Sequence, residues 1–208
     1  MSTTTGELFP ATSQNTYREA ARTFWPHHAE LIYDGFDTIN RLCFANEVPM
    51  HGIIVGLIAH GGALGLTRPD GRIILHPSLL TPATRNPWGI PAESCSPALV
   101  VDVLTHEMVH AYLFARGLTP DHNDEPWCKE VQRLSPIIGQ GSVVAAPWRR
   151  SRRSKSEGGG LHYTSTEGAL TRKQLKHWPN RPANYYAEHD EPWWEVFHQT
   201  ARNIGGAA

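Results

Sequence analysis

Residues 96–117 spell out a helix with both ends marked, and two histidines stand one turn apart in its middle. Ser96 suits the capping position and Pro97 the first helical position. Gly117 is a natural stop. Leu99, Val103, Leu104 and Met108 give the helix an apolar side, and between them runs His106-Glu107-Met108-Val109-His110. Positions i and i+4 share a helix face, so both imidazoles point at one spot, with Glu107 beside them. Any fold for this chain must bury the apolar side and bring a third ligand to the two histidines. In the H-E-x-x-H arrangement a zinc ion sits between the histidines and the glutamate acts as general base on its water.

A catalytic zinc takes three protein ligands and keeps a fourth position open. His122 follows His110 by twelve residues and stands in the loop after the helix. Glu125 and Glu130 are alternatives, and His162, His177 and His189 are more remote ones. His27, His28, His51, His60 and His76 read as non-ligands. Asp102 lies one turn before His106 on the same face. It reads either as a hydrogen-bond partner of a ligand imidazole or as a plain solvated or capping carboxylate. Tyr112 and Tyr163 are weak candidates for an oxyanion donor, and Tyr112 reads better as structural.

Upstream, a helical pattern starts at Asn15 and Pro26 interrupts it. Leu31, Ile32, Phe36, Ile39, Leu42 and Cys43 then recur at helical spacing. Ile53–Ala59 reads as a strand, and Arg68-Pro69-Asp70-Gly71 as the turn of a hairpin between Leu64–Thr67 and Arg72–His76. The expectation is a small antiparallel sheet. Residues 81–97, with four prolines, read as a long loop. A supporting helix begins near Asp124-Glu125-Pro126, and short helices are expected within 166–178 and 191–203. Trp178, Trp193, Trp194, Tyr185, Tyr186 and Phe197 read as anchors for the C-terminal segment.

The run His-Glu-Met-Val-His-Ala-Tyr-Leu-Phe at 106–114 resembles the SprT-like zinc metallopeptidases. So does His-Asn-Asp-Glu-Pro-Trp-Cys-Lys at 122–129. Phe36-Asp37-Thr38-Ile39-Asn40-Arg41, with Phe44 and Val48-Pro49, is similar to that family's first helix and its exit. Arg72–Leu80 is similar to its sheet segment. The resemblance covers residues 30–135 in the same order. It implies an α+β, zincin-like (minigluzincin-type) domain, one catalytic zinc ion on His106, His110 and His122, Glu107 as base, and a protein or peptide substrate. The chain departs from the family pattern at Asn123, where glycine is usual, and in one extra residue before Glu125-Pro126-Trp127. With no cysteine after Cys128, it also lacks the family's frequent C-terminal zinc ribbon.

The expected organisation is a flexible N-terminus (1–14), the metallopeptidase domain (15–139), a basic glycine-rich linker or loop (140–160) and a C-terminal extension packed on the domain (161–208). Charge is uneven: up to Gly139 there are 9 Lys and Arg against 14 Asp and Glu, and from Gln140 there are 10 against 6. The net charge of −1 therefore hides a basic C-terminal third. Its densest part, Arg149, Arg150, Arg152, Arg153 and Lys155, with Trp148 beside it, offers a contact for DNA phosphates and a stacking surface. The plainer reading is a solvated linker. Cys43, Cys95 and Cys128, odd in number and widely spaced, argue for reduced thiols. Met1–Tyr17 shows no leader pattern and Ile53–Ala59 is too short to span a bilayer, so a soluble, cytoplasmic protein without membrane contact is expected. Two rival functions stand beside the peptidase. One is a non-catalytic module in which zinc holds the fold, and the other is a nucleic-acid adaptor that works through the basic segment.

Overall fold

The computed structural model describes residues 12–58, 62–80, 96–118, 121–152, 161–164, 167–179, 181–182 and 184–196. Two N-terminal helices come first, α1 (Thr12–Phe24) and α2 (Ala29–Phe44), separated around Pro26. Helix α1 begins at Thr12, and residues 1–11 of the expected N-terminal tail lie outside the described residues. Arg18 and Arg22 of α1 reach Glu30 of α2 at 2.6 and 2.5 Å, which pins the two helices together. Helix α2 ends in left-handed residues, Ala45 (φ 52°) and Asn46 (φ 64°). The Asn40 side chain then holds Val48 by both its backbone N–H and its carbonyl.

Three short strands follow: β1 (Ile53–Val55), β2 (Gly65–Thr67) and β3 (Ile73–Leu75). The hairpin between β2 and β3 forms where Asp70-Gly71 marks it. Gly71 takes φ +82°, and Arg68 and Arg72 close the turn. The sheet itself is mixed, not antiparallel. Its order is β1-β3-β2, with β1 parallel to β3 and Ile53 opposite Ile73. A hairpin signal specifies only the two strands that it joins. Three apolar residues at 53–55 carry no cue for direction, so the parallel partner was invisible locally.

Helix α3 (Pro97–Ala115) runs across this sheet and against α2. Ser96 caps it by accepting the Ala98 N–H, and Gly117 (φ +71°) follows its end. Val100, Val101, Leu104, Met108 and Val109 are almost wholly buried. By length and composition α3 could cross a membrane, but two thirds of that stretch is enclosed within the protein, which marks it as the core helix. Helix α4 (Glu125–Leu134) packs on α3 and buries Trp127, Cys128, Val131 and Leu134. Cys43 and Cys128 are free and buried. Cys95, the segment 81–95, and Phe197 lie outside the described residues.

The expected basic linker is in part a strand. β4 (Arg149–Arg152) pairs antiparallel with β5 (Leu161–Thr164). Two short helices follow, α5 (Arg172–Lys176), with a capping box from Thr171 and Gln174, and α6 (Tyr185–Glu188). Trp178, Trp193 and Trp194 join the same core as α2, α3 and α4. The whole is a mixed helix-and-sheet architecture built on one core.

Candidate metal centre

Three side chains from one helix and one loop meet in one place. His106 and His110 project from α3, one turn apart, and His122 comes from the loop before α4. Their Nε2 atoms form a triangle with sides of 3.0, 3.0 and 3.2 Å. Glu125 and Glu130 go elsewhere, to Lys129 and Arg133. His189 stacks on Tyr185 and binds its carbonyl, while His162 has no described side chain. His177 lines the same cavity without joining the triangle. Tyr112 is engaged by Phe44 and Arg116, away from an oxyanion role.

This donor set fits a metal ion. A tetrahedral zinc with nitrogen ligands at about 2.0–2.1 Å has an N···N edge of about 3.3–3.4 Å, close to the spacing seen. His106 Nδ1 faces the Trp178 carbonyl oxygen, so that nitrogen carries the hydrogen and Nε2 keeps its lone pair toward the centre. Burial, aided by His122, pushes the His106 imidazole down to about 3, which keeps it neutral. Neutral imidazoles converging with no carboxylate among them make a site that a divalent cation stabilises.

The surroundings hold the ligands rigidly. The fully buried Trp127 ring lies against all three imidazoles, with centroids 4.5–4.8 Å apart, and stacks on His110. Its indole N–H donates to the Leu175 carbonyl of α5, and Trp178 donates to Ser135 Oγ. Asn123, next to the third histidine, pairs with the Trp148 backbone in both directions at 2.9 Å. This amide ties the His122 loop to the residue that precedes β4.

Glu107 points from α3 toward β2. Thr67 Oγ1 lies 2.8 Å from Glu107 Oε2 and from its backbone oxygen. Burial pushes the Glu107 carboxyl up to about 7, against the Thr67 bonds that lower it. A carboxylate poised there suits a general base at neutral pH. Gly65 makes room for it: a Cβ at that position would lie 2.5 Å from Glu107 Oε1.

Asp102 plays neither of the roles expected from sequence. Its side chain is 2% exposed, and it pairs with Arg181 at 2.8 and 3.1 Å and accepts from the Tyr186 hydroxyl at 2.9 Å. Both carboxylate oxygens are taken, and the Trp178 carbonyl serves His106 instead. Asp102 is thus a partner of Arg181 and Tyr186. Burial raises its carboxyl, and Arg181 and Tyr186 oppose that shift.

The three histidines, Glu107, Thr67 and Asp102 line one cavity of about 760 Å³, bordered also by Gly62–Leu66 and Lys176–Pro179, with Leu99, Val103 and Phe114 as its apolar lining. Sequence reasoning missed Thr67, Gly65, the Trp178 carbonyl, Arg181 and Tyr186. None carries a local signal, because each reaches the site through tertiary packing. Of the basic segment, Arg149, Arg150 and Arg152 lie on β4, and Arg153 and Lys155 lie outside the described residues. Compared with protein-family models, with curated proteins and with solved structures, the chain finds no match.

Proposed function

We propose that this protein is a zinc-dependent metallopeptidase with a SprT-like, zincin-type arrangement. The observation that carries the reading is the Nε2 triangle of His106, His110 and His122, with Glu107 opening on the same cavity. Zinc held there supplies a water of pKa about 7 and an electrophile for the scissile carbonyl. Glu107 takes the proton of the attacking water and passes it to the leaving nitrogen. Thr67 fixes the carboxylate, Trp178 fixes the His106 ring, and Trp127 excludes water behind the ligands. The substrate is an extended peptide or an unfolded stretch of protein. Its link to DNA, through the β4–β5 hairpin and the residues between its strands, is a further part of the proposal. The hairpin is tied to the His122 loop by Asn123.

The test is metal analysis of the purified protein beside its His122→Ala variant, with peptide cleavage assayed with and without DNA. Wild-type protein should hold one zinc per chain. Loss of one of three imidazoles should weaken zinc by at least about 10²-fold, given what even outer partners of metal ligands contribute. Stoichiometric zinc in His122→Ala would displace His122 as a ligand. A zinc-loaded protein that cleaves no peptide under either condition would leave only the structural-zinc reading.

Gly65→Ala checks the place of the base. The added methyl group cannot coexist with Glu107 in its observed position. Misplacing a catalytic group by about 1 Å costs on the order of 10²-fold in rate. Zinc content should stay unchanged while kcat falls by that order. An unchanged kcat would place the working base elsewhere.

A further inference from the structure

One wall of the metal cavity carries a lysine, and nothing in the proposed hydrolysis needs it. Lys176 and His177 follow each other at the end of α5 and both line the cavity. Their position is firmly set. Leu175 is fully buried, and its carbonyl accepts the Trp127 indole N–H, while the Trp178 carbonyl meets His106. The Lys176–Trp178 run is therefore fixed beside the three imidazoles through its backbone. The Lys176 and His177 side chains stay exposed where they border the cavity.

The nearby carboxylates are otherwise engaged. Glu107 is buried against Thr67, and Asp102 is neutralised by Arg181. Asp121, beside His122, accepts the Asn123 N–H and does not line the cavity. No carboxylate pairs with Lys176 among the described residues. A lysine that borders a substrate cavity without a carboxylate partner draws a substrate anion toward it, with a strength that falls as salt rises.

We infer that the Lys176–His177 wall selects peptides carrying an acidic side chain, or a terminal carboxylate, within two residues of the cleaved bond. This rests on the metallopeptidase reading, and it assigns that activity a substrate class.

The experiment uses quenched-fluorescence peptides that differ at one position, stepped across the cleaved bond, as Glu, Gln or Lys. Zinc-loaded wild-type protein should favour Glu over Gln by about tenfold in kcat/KM at low salt, and the ratio should shrink toward one in about 0.5 M salt. Lys176→Ala should lose most of the ratio, and Lys176→Glu should invert it in favour of Lys. Lys129→Ala, on exposed α4 surface, is the control and should keep the ratio. The same peptides are titrated into zinc-loaded Glu107→Gln protein by fluorescence anisotropy, which reads binding without turnover. A Glu preference in that binding, with no cleavage by wild-type protein, sustains the Lys176 wall and removes the peptidase. Cleavage of Glu, Gln and Lys peptides at equal rates overturns the wall and leaves the peptidase.

Discussion

Glu107→Gln keeps the zinc and loses peptide hydrolysis by roughly 10²–10⁴-fold, the range of a positioned general base. The substitution is nearly isosteric. Its amide oxygen can still accept from Thr67 Oγ1, which lies 2.8 Å from the carboxylate in the native protein. The packing against Gly65 is unchanged in volume, and the three imidazoles of the proposed zinc site are untouched. What disappears is the capacity to take a proton. The native carboxyl is pushed up to about 7 by burial, so near neutral pH it can both accept a proton and return it. An amide does neither. Zinc stoichiometry, melting temperature and kcat measured on one preparation separate the possibilities. Lost zinc would make Glu107 a structural support. Retained zinc with a native rate would remove it from the reaction.

The residues that the chain shows in one stretch were legible, and those that meet across the fold were not. Ser96, Pro97 and Gly117 mark α3 because capping and stopping are local physics. His106, Glu107 and His110 follow from helical spacing alone. His122 needed the family resemblance, since a loop residue twelve positions on could point anywhere. The hairpin at Asp70-Gly71 was legible for the same reason as the caps, while the parallel pairing of β1 with β3 depends on where a loop crosses the sheet. Asp102 shows the limit most clearly. Its partners Arg181 and Tyr186 lie about eighty positions downstream, and nothing in the sequence near 102 or 181 distinguishes a buried ion pair from two solvated side chains. His177 reads from the sequence as a remote ligand candidate and Lys176 carries no signal at all; their place beside the cavity depends on Trp127, whose indole docks α5 next to the imidazoles.

Removing Arg181 should be the most damaging change to stability outside the apolar core, even though Arg181 touches neither metal nor substrate in this account. Its guanidinium is 5% exposed and bridges both Asp102 oxygens and the Ile138 carbonyl. Arg181→Ala leaves a carboxylate buried in α3 with only the Tyr186 hydroxyl beside it. Breaking a buried pair from one side costs about 3–5 kcal/mol, which lowers the melting temperature of a domain this size by about 10 °C or more. The damage also spreads to the metal. Arg181 anchors the run that begins with the Trp178 carbonyl, and partners of that kind alter zinc affinity by about 10–100-fold. Replacing both members, as Asp102→Leu with Arg181→Met, tests the cause. If the loss in Arg181→Ala comes from the stranded charge, the apolar pair should regain most of the melting temperature, because such replacements are often neutral or stabilising. Zinc affinity reports separately on the tether. Recovery of both properties would mean that packing alone holds Trp178 in place. Recovery of stability without affinity would show that the ion pair sets the position of the carbonyl that orients His106.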